Sequence, residues 1–389
     1  MIFCEKPIGE IADVTKLAGF EFTKYIKYNE TGEIIALRAL NLRKGELDLS
    51  DIKRIDRSVS EGLTRSKLYE NDILLTYTGN GYGDCAIIEE NDKYHLAPNI
   101  CKIVPNRALV EPYFLYSYIR SNDFYKQMSS NMNGSGQPTI PMKTIRTLKV
   151  PVPQMEIQKK IANIIQAINL KLRTNRAINE NLEQQAKAIY QQMFIENTSP
   201  DWVEGCLRDI ADITMGQSPS GSSYNEDGIG TIFFQGRAEF SFRFPTIRLY
   251  TTEPKRMAYA NDILMSVRAP VGDLNIAHTD CCIGRGLAAI HSKTNHQSFV
   301  LYTMFSLRKQ LDVFNGEGTV FGSINRNSLN DTPTLIPSDE TIEEFEKIVA
   351  PMDAAIRNNY DEICRLQAVR DSLLPRLMSG ELDVSSLDI

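Results

Sequence analysis

The sequence predicts an α+β protein: two mixed domains, each followed by a long helix, with the second half of the chain repeating the first. Three observations predict it. Short β-type runs are punctuated by Gly, Asn, Asp and Pro. Two stretches carry apolar residues at coiled-coil spacing. Several motifs are written twice.

The repeat is legible motif by motif. Ile8-Gly9-Glu10-Ile11-Ala12-Asp13-Val14-Thr15 returns as Leu207-Arg208-Asp209-Ile210-Ala211-Asp212-Ile213-Thr214. Asn71-Asp72-Ile73-Leu74 returns unchanged as Asn261-Asp262-Ile263-Leu264. Gly83-Asp84 matches Gly272-Asp273, Leu115-Tyr116 matches Leu301-Tyr302, and Pro153 matches Pro337. The offset shrinks steadily along the chain, as small loop insertions require. The reading is a mixed domain over 1–155, a helix over 156–196, a second mixed domain over 197–338, a second helix over 339–378 and a tail over 379–389. Strand-like runs include Ile34–Leu37, Ile73–Tyr77, Ile232–Phe234 and Ile263–Val267, with helices expected around Pro112–Met128 and Ser298–Phe314.

Both helices carry a 4-3 seam. In the first it runs Ile161, Ile165, Ile168, Leu172, Asn175, Asn179, Leu182, Ala186, Ile189 and Met193. In the second, at one constant offset, it runs Phe345, Val349, Met352, Ile356, Asn359, Ile363, Leu366, Arg370, Leu373 and Leu377. Asn175 and Asn359 occupy the same place, where a polar seam residue selects register and partner at a cost in packing. Pro351 removes an amide donor, so a kink is expected near the start of the second helix. Residues 156–196 sum to +2 and 339–378 to −4. The opposite signs favour the helices meeting each other, although exposed pairs contribute only ~0–1 kcal/mol each. The seam from Ile161 to Met193 is about 48 Å long at ~1.5 Å per residue, which matches on the order of 14 base pairs at ~3.4 Å each.

Composition narrows the function classes. Of 389 residues, 42% are hydrophobic and 24% charged, which excludes disordered and fibrous chains. No apolar run is long enough for a membrane span. The start of the chain does not read as a secretory signal, and seven mostly scattered cysteines suit a reduced, cytoplasmic setting. No phosphate loop, amino-methyltransferase Asn/Asp-Pro-Pro-Tyr loop or Gly-x-Ser-x-Gly elbow occurs. Asp51-Ile52-Lys53 is too short a match to indicate a metal nuclease. His278, Cys281, Cys282, His291 and His296 form the one metal-like cluster. Adjacent cysteines on a strand point to opposite faces, so a strand with partly buried thiols and no metal is expected.

A net charge of −6 argues against a nucleic-acid binder, yet the charge is locally uneven. Residues 1–155 hold 20 basic and 19 acidic side chains, and 197–338 hold 12 and 14. Each copy nonetheless places a basic stretch just before its Asn-Asp-Ile-Leu strand. The first holds Lys53, Arg54, Arg57, Arg65 and Lys67, the second Arg237, Arg243, Arg248, Lys255 and Arg256. Arg bonds guanine edges in bidentate fashion, and Lys or Arg contacts to phosphate supply affinity. Similar stretches with different arginine placement suit two sites that read different sequences. The alternative is a solvated surface loop. Candidate contacts beside them are Thr78, Asn80 and Tyr82 in a glycine-rich turn, Gln137, and, in the second copy, Gln217, Ser218, Arg268 and Arg326.

The arrangement resembles the specificity subunit of type I restriction-modification enzymes. The likeness rests on the doubled Asn-Asp-Ile-Leu strand and on Gly134–Pro141 leading to Leu148–Pro153. It rests also on the Glu156–Ile161 helix start and the Leu373–Leu382 ending. The second copy departs at Gly316–Phe321, where Gln-Pro-Thr is lost. The resemblance implies that each mixed domain reads one half of a bipartite site on double-stranded DNA. It implies an antiparallel helical spacer that docks two modification (methyltransferase) subunits, to which restriction subunits, the ATP-dependent translocase and nuclease, are added. S-adenosylmethionine, ATP and Mg²⁺ then belong to those partners, and no cofactor or catalytic residue to this chain. The alternative reading is a coiled-coil adaptor whose mixed domains bind protein or glycan.

Overall fold

The computed structural model describes residues 3–43, 45–79, 81–132, 138–316 and 322–387. It divides the chain into two compact units, Met1–Thr174 with Glu362–Ile389, and Asn175–Asp361. The expected boundary between domain and helix is therefore not where the chain divides. Each unit owns one mixed domain and part of each long helix, because each mixed domain packs on the start of one helix and the end of the other.

In the first unit, Cys4–Pro7 pairs antiparallel with Lys149–Val152. An antiparallel sheet follows in the order Ala12–Lys16, Ile100–Pro105, Ile73–Thr76, Cys85–Ile87. A smaller sheet joins Lys53–Ile55, Ile34–Leu37 and Tyr94–Leu96, the last pair parallel. The second unit repeats this. Val203–Cys206 pairs with Pro333–Ile336, and the four-stranded sheet runs Ala211–Met215, Leu287–Ser292, Ile263–Ser266, Leu274–Ile276. Its parallel pair is Thr231–Phe234 with Cys281–Ile283.

The repeated motifs build the two ends of one core strand. Asn71 and Asn261 adopt positive φ, 72° and 75°, a conformation Asn tolerates better than most residues. The next residue closes the turn: Asp72 Oδ2 accepts from Tyr69 N at 2.8 Å, and Asp262 Oδ2 from Tyr259 N at 2.7 Å. The Ile-Leu that follows enters the strand fully buried. At the far end, Gly83 and Gly272 turn the chain back with φ of 89° and 88°.

The first long helix spans Met155–Tyr190 and continues as a π-helical segment, Gln191–Glu196. The second spans Asp339–Ser379 and runs on through Pro351 without a break. Within the first unit Ile157, Ile161 and Ile165 share a core with Leu373, Leu374 and Leu377, and Lys171 pairs with Glu362 at 3.3 Å. Within the second, Ala186 and Tyr190 share a core with Phe345 and Val349. In each unit, then, the helical segments run antiparallel. Of the seam residues, Ile161, Ile165, Leu172, Asn175, Asn179, Ala186, Phe345, Val349, Ile356, Ile363 and Leu377 are buried. Ile168, Leu182, Ile189, Met193, Met352, Asn359, Leu366, Arg370 and Leu373 are partly so. Asn359 donates to Asn179 Oδ1 at 2.8 Å, and Asn179 to the Ile356 carbonyl at 3.2 Å, so the second helix's seam asparagine meets Asn179.

Candidate nucleic-acid interface

In the first unit the basic stretch lies along one edge of the smaller sheet. Lys53 and Arg54 sit on its outer strand, Arg57 opens the short helix Arg57–Gly62, and Arg65 lies in the turn Thr64–Ser66. Lys53 and Arg57 are exposed. Arg54 is half-buried and donates to the Gly32 carbonyl at 3.3 Å. Arg65 is exposed and loosely paired with Glu21 at 3.3 Å. Lys67 is tied down at 2.6 Å to Asp92, a contact that raises the ammonium's pKa and lowers the carboxylate's.

In the second unit Arg237, Lys255, Arg256, Arg268 and Arg326 are exposed. Arg237 pairs with Asp273 at 3.0 Å, a carboxylate it shares with Arg308. Arg248 reaches Glu239 at 2.6 Å while its side chain stays more than half exposed. Gln217 is exposed, and Ser218 Oγ accepts from Arg285 N at 3.2 Å.

Two expectations are corrected. Arg243 does not face solvent: its side chain is 2% exposed, bonded to Asp353, to the Tyr302 hydroxyl at 2.8 Å and near Glu183 at 3.6 Å. It is a strut between the mixed domain and the helical segments, and a guanidinium so enclosed cannot reach a base. Thr78 is also buried, its hydroxyl bonded to Thr139 at 2.7 Å. It joins the strand-end turn to the loop that follows the helix Asn122–Ser130, with Gly79 N donating to the Pro138 carbonyl at 2.9 Å. Tyr82 lies beside this junction, stacked on Tyr125 at 5.3 Å. Asn80 and Gln137 fall outside the described residues. Cys281 and Cys282 are buried in a strand, and among the described residues no group of His, Cys, Asp or Glu is arranged to hold a metal.

Sequence reasoning missed the contacts that fasten each mixed domain to its helical segment. Asn169 donates to the Tyr113 hydroxyl at 2.9 Å in the first unit, and Tyr302 donates to Asp353 at 3.0 Å in the second. Asn169 and Asp353 are related by the same offset as the two seams, but they differ in residue type and lie off the seam, so the repeat alone does not single them out.

Among the described residues no helix is long and apolar enough to cross a membrane. Residues 4–184 and 200–364 each match the family model described as the type I restriction modification DNA specificity domain. The chain is 29% identical to a putative type I restriction enzyme MjaX specificity subunit of Methanocaldococcus jannaschii, over 97% of this chain and 94% of that one. It is 22% identical to the type I restriction enzyme HindI specificity subunit of Haemophilus influenzae, over 93% and 96%. In fold it is similar to the solved S subunit of a type I restriction-modification system from M. genitalium, with a TM-score of 0.66 at 14% identity, covering 96% of each chain.

Proposed function

The chain belongs to the type I restriction-modification DNA specificity family, and from that premise we propose how its parts divide the work. Each mixed domain reads one half of a bipartite double-stranded DNA site. The long helices set the unread gap and dock two modification subunits, to which restriction subunits are added. Methyl transfer, ATP-driven translocation and cleavage take place in those partners, which bind S-adenosylmethionine, ATP and Mg²⁺. The chain itself is non-catalytic and works in the cytoplasm.

The observation that carries this reading is duplication with divergence. One scaffold occurs twice, with the same turns at both ends of the same core strand, while the exposed cations beside it differ. Lys53, Arg57 and Arg65 in one unit, and Arg237, Arg248, Lys255 and Arg256 in the other, are solvent-accessible. Arg65 and Arg237 are held in half-exposed ion pairs, with Glu21 and Asp273, worth ~0–1 kcal/mol, which a phosphate or a base edge replaces at little cost, whereas Arg248 also neutralises the buried Glu239. Near-neutral domains give modest non-specific affinity on their own, so partner subunits complete the grip on the duplex.

Methylome sequencing of a host with and without the gene tests the reading: one bipartite motif should vanish with the gene. Substituting Arg57 or Arg65, or Arg248, by Ala should then relax a single base position in one half-site only, at about 1–3 kcal/mol for a base-reading side chain. Uniform weakening on every sequence would assign the residue to phosphate. No change from any of the three would remove these stretches from the interface.

A further inference from the structure

A pair of arginines holds the same place in the two helical segments. Arg173 and Arg357 are related by the seam offset, and each lies one helical turn after the polar group that bonds a tyrosine, Asn169 or Asp353. Residues so spaced share one helix face. That face is turned to the mixed domain of the same unit. Arg173 Nη1 meets Glu89 Oε1 at 2.6 Å. Arg357 bonds the carbonyl of His278 and, through Nη1, the Asn261 side chain at 2.7 Å. Glu89 and His278 are themselves equivalents, each next but one after the strand-end isoleucine, Ile87 or Ile276. Each arginine lines a cleft between domain and helix, of about 240 Å³ in the first unit and 450 Å³ in the second.

We propose that Arg173 and Arg357 are positioning residues that latch each recognition domain at a fixed angle on its own helical segment, so that the complex accepts one gap length between half-sites and rejects its neighbours. The inference rests on the function proposed above. Neither arginine belongs to the basic stretches. A guanidinium suits the task because it spans two acceptors in one rigid plane. Arg357 uses that span on a backbone carbonyl and a side-chain amide, whereas Arg173 is fastened by charge. The two latches therefore differ in what can replace them.

The test uses the complex reconstituted with its modification subunits, after the wild-type motif has been read by methylome sequencing. Methylation is then measured on a library in which both half-sites are kept and the gap is varied one base pair at a time. Arg357→Ala, which removes two hydrogen bonds from a charged donor, and Arg173→Ala, which removes one half-exposed ion pair, should each raise methylation at gaps one pair longer or shorter, relative to the native gap, about threefold to fivefold. The bases read in each half-site should stay unchanged. Arg173→Lys should restore strict gap choice, because it keeps the charge facing Glu89, and so should the swap Arg173→Glu with Glu89→Arg. Arg357→Lys should not, because an ammonium lacks the planar fork. A variant that keeps the native gap while its melting temperature falls makes the arginine a stabilising contact only and overturns the latch. Loss of the half-site sequence itself would make it a reading residue and overturn the latch too. A wild-type complex with no bipartite motif would overturn the proposed function and this inference together.

Discussion

The two units share a skeleton and differ in how its polar parts are fastened. The buried aspartate of the Asn-Asp-Ile-Leu turn faces Lys102 at 3.8 Å in the first unit and His291 at 2.6 Å in the second. The helix that follows the sheet begins at Pro112 in one and Gln297 in the other. In the first its free amide at Phe114 is capped from within, by Glu111 at 2.5 Å. In the second the amide at the same helical position, that of Phe299, is capped by Glu346 of the long helix at 2.8 Å. At the equivalent positions Asn169 and Asp353, domain and helix meet through a neutral pair, Asn169 and Tyr113, in one case. In the other they are joined by a charged cluster of Arg243, Asp353, Glu183 and Tyr302. What persists is the geometry that every copy needs: a turn with positive φ, a buried strand, an antiparallel helix pair. What diverges is any contact that several chemistries can make.

The largest difference should appear on removing the charged strut. Arg243→Leu leaves Asp353 and Glu183 half-enclosed with their counter-ion gone, and breaking such a cluster costs about 3–5 kcal/mol. Hydrogen exchange should show the second unit loosening while the amides of the first keep their protection. Adding Asp353→Leu should restore part of the loss, since the uncompensated charge is then reduced. If both units loosen equally, the strut supports more than its own unit.

A smaller effect is expected at the neutral counterpart. Asn169→Leu deprives the buried Tyr113 hydroxyl of its donor, at about 1–2 kcal/mol. Denaturant melts of this variant beside Arg243→Leu give the contrast directly. An equal or larger loss at Asn169 would mean that charge is not what distinguishes the two joints.

These fastenings also mark where the sequence runs out. The seam period identifies which side of a long helix meets the other helix, because that face is apolar and repeats every three or four residues. It is blind to a third partner. Asn169 and Arg173 lie on the flank, look like ordinary surface residues of an amphipathic helix, and acquire a role only when the sheet domain arrives. Arg243 shows the opposite error. It lies between Arg237 and Arg248, so it reads as one of the basic stretch, but its partners are Glu183 on the first long helix and Asp353 on the second, both remote along the chain. The Asn-Asp-Ile-Leu turn needs no distant partner to be recognised, since its conformation is written in four consecutive residues. So is the start of the strand that follows it, which is why the α+β fold and its duplication are readable when the joints are not.

The smallest effect to be sought is a slope with pH. Burial holds the Asp353 carboxyl above the usual aspartate value of 3.8, against the opposing pull of Arg243. Between 3.8 and its raised value the folded chain keeps a proton that the unfolded chain has released. The contribution of this group to stability is therefore full below the unfolded value and lost as pH rises through the folded one. Asp353→Asn cannot titrate, yet its amide oxygen can still accept from Tyr302 and Arg243. The stability of the wild type relative to this variant should thus decline from pH ~4 towards neutrality, by about 1.4 kcal/mol for each pH unit that separates the two values. Asn169→Asp sharpens the contrast by placing a carboxyl at the equivalent point of the first unit, where the same downward slope should appear in hydrogen exchange of that unit alone. A wild type that gains on the variant as pH rises would show that attraction to Arg243 outweighs burial, and the charged joint would then be the stronger of the two at neutral pH.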